Sequence, residues 1–274
     1  MLAAGEGQRL RPISAQRPKP LCPVGGEALI DLALGRVRQV TPTVAVNLHD
    51  RAEQVAAHLA TRAEPIPHLS YESPEALGTA GAIGALRPWI DGRAVLVHNA
   101  DVWTTAALVP FVEGWDRTRA RVLLAVRSTE GGSGQLGQGT FGPTIGLVAT
   151  LLPWSEVEPL EPVPSSLYAA TLARAWTAGR LDAISVDAPF VDCGTPADYL
   201  DANLAEAARA GGSIVHPSAR VAGRVERSVV GAGAVVDGEV EDSVLWDGVS
   251  VGAAEHLREV VRVGRPDLDV RPRS

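Results

Sequence analysis

The chain predicts an α/β fold in which a doubly wound, mostly parallel sheet is followed by a short C-terminal parallel β-helix. Three features carry that expectation. Helix-like and strand-like segments alternate from Ala28 to Ala210, which is the order of crossover units in a parallel sheet. The strands read as unbroken apolar runs, as strands covered on both faces do. After Gly211-Gly212 the texture changes to short Val-rich pieces separated by glycine.

Apolar residues at Leu29, Leu32, Ala33, Val37 and Val40 recur at helical spacing and predict a helix over 28–40. Thr43–Leu48 reads as a short buried strand, and Asp50 as the cap of a helix over 51–61. A weaker strand surrounds Ile66–Tyr71, and a helix follows from Thr79 to Pro88. Arg93–His98 is a strong strand that ends in the loop Asn99-Ala-Asp101. A helix over about 105–117 and a strand over Arg121–Arg127 come next. Seven of the fourteen residues 130–143 are Gly or Pro, which marks a loop. Less regular structure is expected up to Gly179, then a strand near Leu181–Val186. Thr195 as N-cap and Pro196 in the first turn start a helix running to Ala210. In 213–264 the aliphatics Val215, Val221, Val225, Val230, Val235, Val240, Val244 and Val249 recur at intervals of four to six, with Val251 close behind. That rhythm suits short β-helix coils, with a generic small β domain as the alternative. The expected division is 1–211, 212–264 and an unstructured tail over 265–274.

Of 25 basic residues among 274, Lys19 is the sole lysine and the rest are arginines. The formal charge of −7 argues against non-specific nucleic-acid binding. No apolar run reaches the roughly 18 residues of a membrane span, no signal peptide is evident at the start, and a reducing cytoplasm is the default for two scattered cysteines, Cys22 and Cys193. The six histidines are not paired at metal-binding spacing.

Leu2-Ala-Ala-Gly-Glu-Gly-Gln-Arg-Leu-Arg-Pro12 is followed by Arg17-Pro-Lys-Pro20. A glycine-rich turn lets backbone N–H groups approach phosphate oxygens, Arg9 offers a planar fork and Lys19 a compact charge. Glu72-Ser-Pro-Glu-Ala-Leu-Gly-Thr-Ala-Gly81 has small residues against which a flat base could lie; a helix start capped at Thr79 is the plainer alternative. Asp101 lies at the carboxyl end of a buried strand, where ligands sit in open α/β sheets. Asp101 and Asp192 could each be a loop cap, but beside a triphosphate a carboxylate suits Mg²⁺.

Together these segments closely resemble the sugar-1-phosphate nucleotidyltransferases, the NDP-sugar pyrophosphorylases, and the Leu-Gly-Thr-Ala-Gly version is most similar to mannose-1-phosphate guanylyltransferase-like members. The resemblance implies a Rossmann-like domain over roughly 1–210 and a left-handed, hexapeptide-like β-helix after it. It implies a nucleotide held by Leu2, Ala3, Ala4, Gly5, Gly7, Glu72, Gly78 and Thr79. Arg9 would stabilise leaving pyrophosphate, Lys19 would contact the phosphates, and Asp101 with Asp192 (from Val-Asp-Cys-Gly-Thr-Pro) would ligate Mg²⁺. The implied reaction joins an NTP and a sugar-1-phosphate with release of pyrophosphate. GTP with mannose-1-phosphate is the first expectation. UTP or dTTP with N-acetylmuramate- or glucose-1-phosphate is the alternative within the class, and a non-catalytic nucleotide-sugar-binding regulator the alternative outside it.

The chain departs from that pattern in several places. Gln8 and Ala100 stand where the family commonly has Thr or Ser and Gly. The family's Glu-Lys element for the sugar phosphate is missing, since no second lysine exists. Arg127 is the expected substitute, with a solvated strand-end arginine as the alternative, and Gly146 is expected near the sugar. Family members also open with a short apolar strand before Leu-Ala-Ala-Gly, which leads to the expectation that the true start lies upstream of Met1. Neither nucleic acid nor membrane is an expected partner, and a homo-oligomer is allowed for.

Overall fold

The computed structural model describes residues 1–62, 65–126, 145–264 and 268–272. The chain packs as two compact units. Residues 1–6 and 30–190 form the first, and residues 7–29 and 191–274 the second.

The sheet of the first unit includes β1 (Ala45–Leu48), β2 (His68–Tyr71), β3 (Val95–His98), β4 (Ala120–Val126), β5 (Ile145–Leu152) and β6 (Leu181–Val186). β1 and β2 pair in parallel. Leu2 makes parallel bridges to both Asn47 and Asn99, and so links β1 to the end of β3. The remaining strands lie in the order β3-β5-β4-β6. β4 and β6 pair in parallel, whereas β5 is antiparallel to both its neighbours. The sheet is therefore mostly parallel, with β5 running against the rest.

That strand falls in the stretch expected to be irregular, and it is a correction. Its sequence, Ile145-Gly-Leu-Val-Ala-Thr-Leu-Leu152, is an apolar run that the prolines after it obscured. The helix expected over 105–117 is likewise reduced to Val109–Val112. Gly114 and Arg117 take positive φ angles of 67° and 63°, which end helical geometry there.

Helices α1 (Leu29–Arg38), α2 (Ala52–Arg62), α3 (Gly78–Ala85) and α4 (Pro196–Arg209) match the expected segments within one to three residues. One face of the sheet buries Val97, Val122, Leu124 and Leu152 against Ala80 and Ile83 of α3 and against Leu172 and Ala175. From α1, Arg36 donates to the carbonyl of Val102 at 2.7 Å.

The second unit carries short strands stacked in three parallel ladders. Ile214 pairs with Val229 and Val229 with Val244, so one coil is a 15-residue repeat. The repeat is visible in Val225-Glu-Arg-Ser-Val229 against Val240-Glu-Asp-Ser-Val244, a longer period than the four-to-six rhythm. The corner residues Arg227, Asp242 and Glu259 all have positive φ. Beside them runs a buried serine ladder. Ser213 Oγ accepts from Ser228 N, Ser228 Oγ from Ser243 N, and Ser243 Oγ from Val260 N, at 3.0–3.2 Å. Each hydroxyl satisfies an amide that the corner would leave unpaired. The tail expected to be unstructured returns at Leu268–Val270 as an antiparallel strand on Val261–Val263. The buried Arg262 fixes it, with Nη2 donating to Asp269 Oδ2 at 2.9 Å.

Candidate active site

In the second unit the glycine-rich loop from Gly7 folds onto α4. Gly7 has φ +63°, and a Cβ there would meet Lys19 Cβ at 3.0 Å and Ser14 Cβ at 3.1 Å. Only glycine both adopts this conformation without strain and lets the loop close on the lysine stem. Ser14 Oγ donates to the carbonyl of Gly7 at 2.6 Å and locks the turn. Lys19 is 6% exposed, and its Nζ lies 3.6 Å from Asp192 Oδ1. The Arg9 guanidinium rests over Gly194, where a Cβ would meet Arg9 Nη2 at 3.0 Å and Asp192 Oδ1 at 3.4 Å. Gly7, Arg9, Lys19 and Asp192 are thus brought together, two cations beside one carboxylate.

The elements beneath are tied to that loop. Thr195 caps α4, its Oγ1 accepting from Asp198 N at 3.2 Å. One turn on, Tyr199 is fully buried and its hydroxyl donates to the carbonyl of Pro23. Trp246 Nε1, from the β-helix, donates to the same hydroxyl at 3.0 Å. Burial raises the Tyr199 phenol well above its ordinary pKa and keeps it a donor. Asn203 Oδ1 accepts from Gly25 N at 3.0 Å, and Arg17 lies over the Trp246 ring at 4.8 Å. Tyr199, Asn203 and Trp246 escaped sequence reading because their partners lie far away in the chain and no local pattern marks them.

In the first unit Leu2 is fixed on both sides. Its N–H donates to His98 O, and its carbonyl accepts from Ala100 N, both at 2.9 Å. That places Leu2–Ala4 beside the half-buried turn bearing Asp101. Ala3 N donates to Asn47 Oδ1 at 2.8 Å, and Asn47 Nδ2 donates to Glu72 Oε1 at 2.7 Å. The other Glu72 oxygen accepts from Leu77 N at 2.7 Å. Leu2 and Thr79 line one cavity of about 250 Å³, together with Asn99, Thr150, Leu167 and Tyr168. Gly5 is exposed, with nothing within 4 Å of a Cβ added to it.

Gly78 and Thr79 also hold a neighbouring segment. Gly78 has φ +67° and would put a Cβ 2.6 Å from Ser165 O, while Thr79 Oγ1 accepts from Leu167 N at 2.7 Å. Gly146 packs under Phe190, whose ring would lie 2.2 Å from an added Cβ. Arg127 lies outside the described residues.

His98, on the strand before Asp101, is buried, and its Nδ1 is 2.7 Å from the carbonyl of Val148. Burial, then the charge of Arg36, lowers its pKa to about 4; the Val148 contact and Asp101 pull the other way. Between about pH 6.5 and pH 4 the unfolded chain binds a proton that the native state refuses, so stability falls as pH falls through that window. The loss reaches about 3 kcal/mol by linkage. Urea unfolding at pH 7 and pH 4.5 should show this slope in the wild type, and His98→Leu should make it shallower; the buried Met1 amino group, its pKa lowered to about 5, keeps a slope of the same sign.

Residues 1–133 match the family model described as Nucleotidyl transferase. The chain is 38% identical over 138 residues to N-acetylmuramate alpha-1-phosphate uridylyltransferase of Caulobacter vibrioides, covering 47% of this chain and 57% of that protein. It is 37% identical over 108 residues to the protein of the same name from Neisseria meningitidis, covering 38% and 46%. The matches therefore span about half the length of these curated relatives. Among solved structures, HddC from Yersinia pseudotuberculosis complexed with GMP-PN superposes with a TM-score of 0.60 at 20% identity, over 74% of this chain and 96% of that one. At that identity the likeness is one of fold. No helix among the described residues is long and apolar enough to cross a membrane.

Proposed function

We propose that the protein is a sugar-1-phosphate nucleotidyltransferase, a reading that proceeds from the match of residues 1–133 to the nucleotidyl transferase family model. The observation that carries the proposal is the meeting of Arg9, Lys19 and Asp192 around Gly194, two cations and a carboxylate on a glycine-shaped loop. Their sequence spacing and chemistry suit a triphosphate.

In the reaction a phosphate oxygen of the sugar phosphate attacks the α-phosphorus of the NTP. One P–O bond forms, the bridge from the α- to the β-phosphate breaks, and pyrophosphate leaves in line with its negative charge. The nucleophile is already an anion, so no general base is needed. Lys19 and Arg9 supply positive charge where it accumulates, and the protein's work is positioning and neutralisation. Asp192 keeps 41% of its side chain exposed, and Asp101 is half-buried. A carboxylate suits Mg²⁺, which takes one or two such ligands and completes its shell with phosphate oxygens and water, and Asp101 and Asp192 are each proposed as a ligand. When bound, the ion would neutralise phosphate charge. Leu2, Ala3, Ala4, Gly5, Gly7, Glu72, Gly78 and Thr79 are assigned to the nucleotide side, and Gly146 with Arg127 to the sugar phosphate. A domain division at 211/212 is proposed with this reading, whereas the compact units of the structure divide the chain at 6/7, 29/30 and 190/191.

The two uridylyltransferases of N-acetylmuramate alpha-1-phosphate support UTP and an N-acetylated sugar-1-phosphate as the substrates. GTP with mannose-1-phosphate is the second reading and rests on Leu77-Gly-Thr-Ala-Gly81. Pyrophosphate release measured with Mg²⁺, four NTPs and a panel of sugar-1-phosphates separates them. The highest kcat/KM is expected with UTP and N-acetylmuramate-1-phosphate. An optimum with GTP and mannose-1-phosphate would install the second reading, and nucleotide binding without turnover would mark a regulator.

A further inference from the structure

We infer that Asn47 and Glu72 form a buried hydrogen-bond relay that positions the two nucleotide-side loops of the first unit against each other. The inference rests on the proposed reading of those loops as nucleotide-binding. Asn47 is 2% exposed and Glu72 5% exposed. Each of their four polar side-chain atoms has a role in the chain. Asn47 Oδ1 accepts from the backbone of Ala3, at the head of the glycine-rich loop. Asn47 Nδ2 donates to Glu72 Oε1. Glu72 Oε2 accepts from the backbone of Leu77, immediately before Gly78 and Thr79.

The main chain braces the same pair. Asn47 N donates to Met1 O at 3.3 Å, and Glu72 N donates to Leu48 O at 2.8 Å. His49 Nδ1 lies 3.0 Å from Glu72 O. Ala3 and Leu77 are 74 positions apart in the numbering, and two side chains connect their amides. The relay demands an acceptor toward Ala3, a donor–acceptor pair in the middle and an acceptor toward Leu77. Glu72, assigned to the nucleotide from sequence, is then a positioning residue, because both its oxygens face protein donors.

This pattern has a second chemical solution. With aspartate at 47 and glutamine at 72, Ala3 N still meets a carboxylate oxygen. The glutamine amide donates back to the other carboxylate oxygen, and its carbonyl accepts from Leu77 N. Either single change breaks the pattern. Asn47→Asp sets two carboxylates against each other, and Glu72→Gln sets an amide N–H₂ against a donor.

The test compares wild type, Asn47→Asp, Glu72→Gln and the double variant N47D/E72Q. Amide hydrogen exchange at Ala3 and Leu77 is read by NMR, UTP affinity by calorimetry, and KM for each substrate by pyrophosphate release. Each single change should speed exchange at both amides by at least tenfold and raise KM for the NTP about tenfold. KM for the sugar phosphate should stay within about twofold, and the double variant should return all three readouts to within about threefold of wild type. A double variant no better than the worse single change overturns the relay. Unchanged NTP affinity in folded single variants reduces it to a stabilising contact and also overturns it. If a single variant fails to fold, recovery of folding and exchange protection in the double variant is the expected result, and continued failure refutes the relay. Wild type that binds no NTP would defeat the functional reading, while the exchange data would still decide whether the relay exists.

Discussion

Lys19→Arg is expected to lower kcat for pyrophosphate release by about 100-fold or more while leaving the fold intact. The lysine is 6% exposed, its stem lies against the backbone at Gly7, and its ammonium reaches Asp192 at 3.6 Å. A guanidinium keeps the charge but is broader and planar, so it cannot place a point charge in the same slot. Phosphate oxygens approaching Lys19 would share it with Asp192 or displace that carboxylate, which a compact cation permits. Steady-state kinetics with a urea melt alongside checks this. Activity near wild type would mean that Lys19 matters only as charge, and an unfolded variant would point to a packing role.

Gly81→Ala is expected to be the most damaging of the small substitutions in the Leu-Gly-Thr-Ala-Gly segment, lowering stability by about 3 kcal/mol or more. A Cβ at Gly81 would lie 2.2 Å from Val163 O and 2.9 Å from Leu77 Cβ. The obstacle is backbone and cannot swing aside. Gly84 repeats the arrangement one turn later, with Glu161 C and O at 2.4 Å from an added Cβ. The small residues of α3 therefore form a seat for residues 161–165, and Ala80 N donates to Ser165 O at 3.0 Å to hold it there. Urea unfolding of Gly81→Ala beside Gly5→Ala checks the reading. Gly5 has open space around it and should tolerate the change in stability. A Gly81→Ala protein of wild-type stability would contradict the packing.

Much of the fold was readable because its signals are local. The run Val44-Ala-Val-Asn-Leu48, the cap Thr195 with Pro196, and the glycines after residue 210 each decide their own neighbourhood. β5 was missed because an apolar run beside the Gly-rich stretch 130–143 and Pro153 carries no alternation, so periodicity could not separate it from irregular chain. The β-helix was legible because three short strands in each 15-residue coil space the aliphatics about five apart, as Val225 over Val240 and Val229 over Val244 show; the last coil is longer, with Val261 17 residues beyond Val244.

The candidate site divides in the same way. Gly7, Arg9, Lys19 and Asp192 were legible because phosphate chemistry restricts residue type. Asn47, Tyr199, Asn203 and Trp246 were not, since their roles depend on partners at remote positions that no local pattern encodes. The sign available for Asn47 was a lone amide inside a buried strand, where an unpaired polar group is too costly to be accidental.

Phosphorus NMR of UTP, N-acetylmuramate-1-phosphate, Mg²⁺ and the full chain tests nucleotidyl transfer most directly. The predicted result is the joint appearance of pyrophosphate and a diphosphate-linked sugar nucleotide in equal amounts, with neither formed by Lys19→Ala. Release of inorganic phosphate instead, or a product formed equally well by Lys19→Ala, would contradict it.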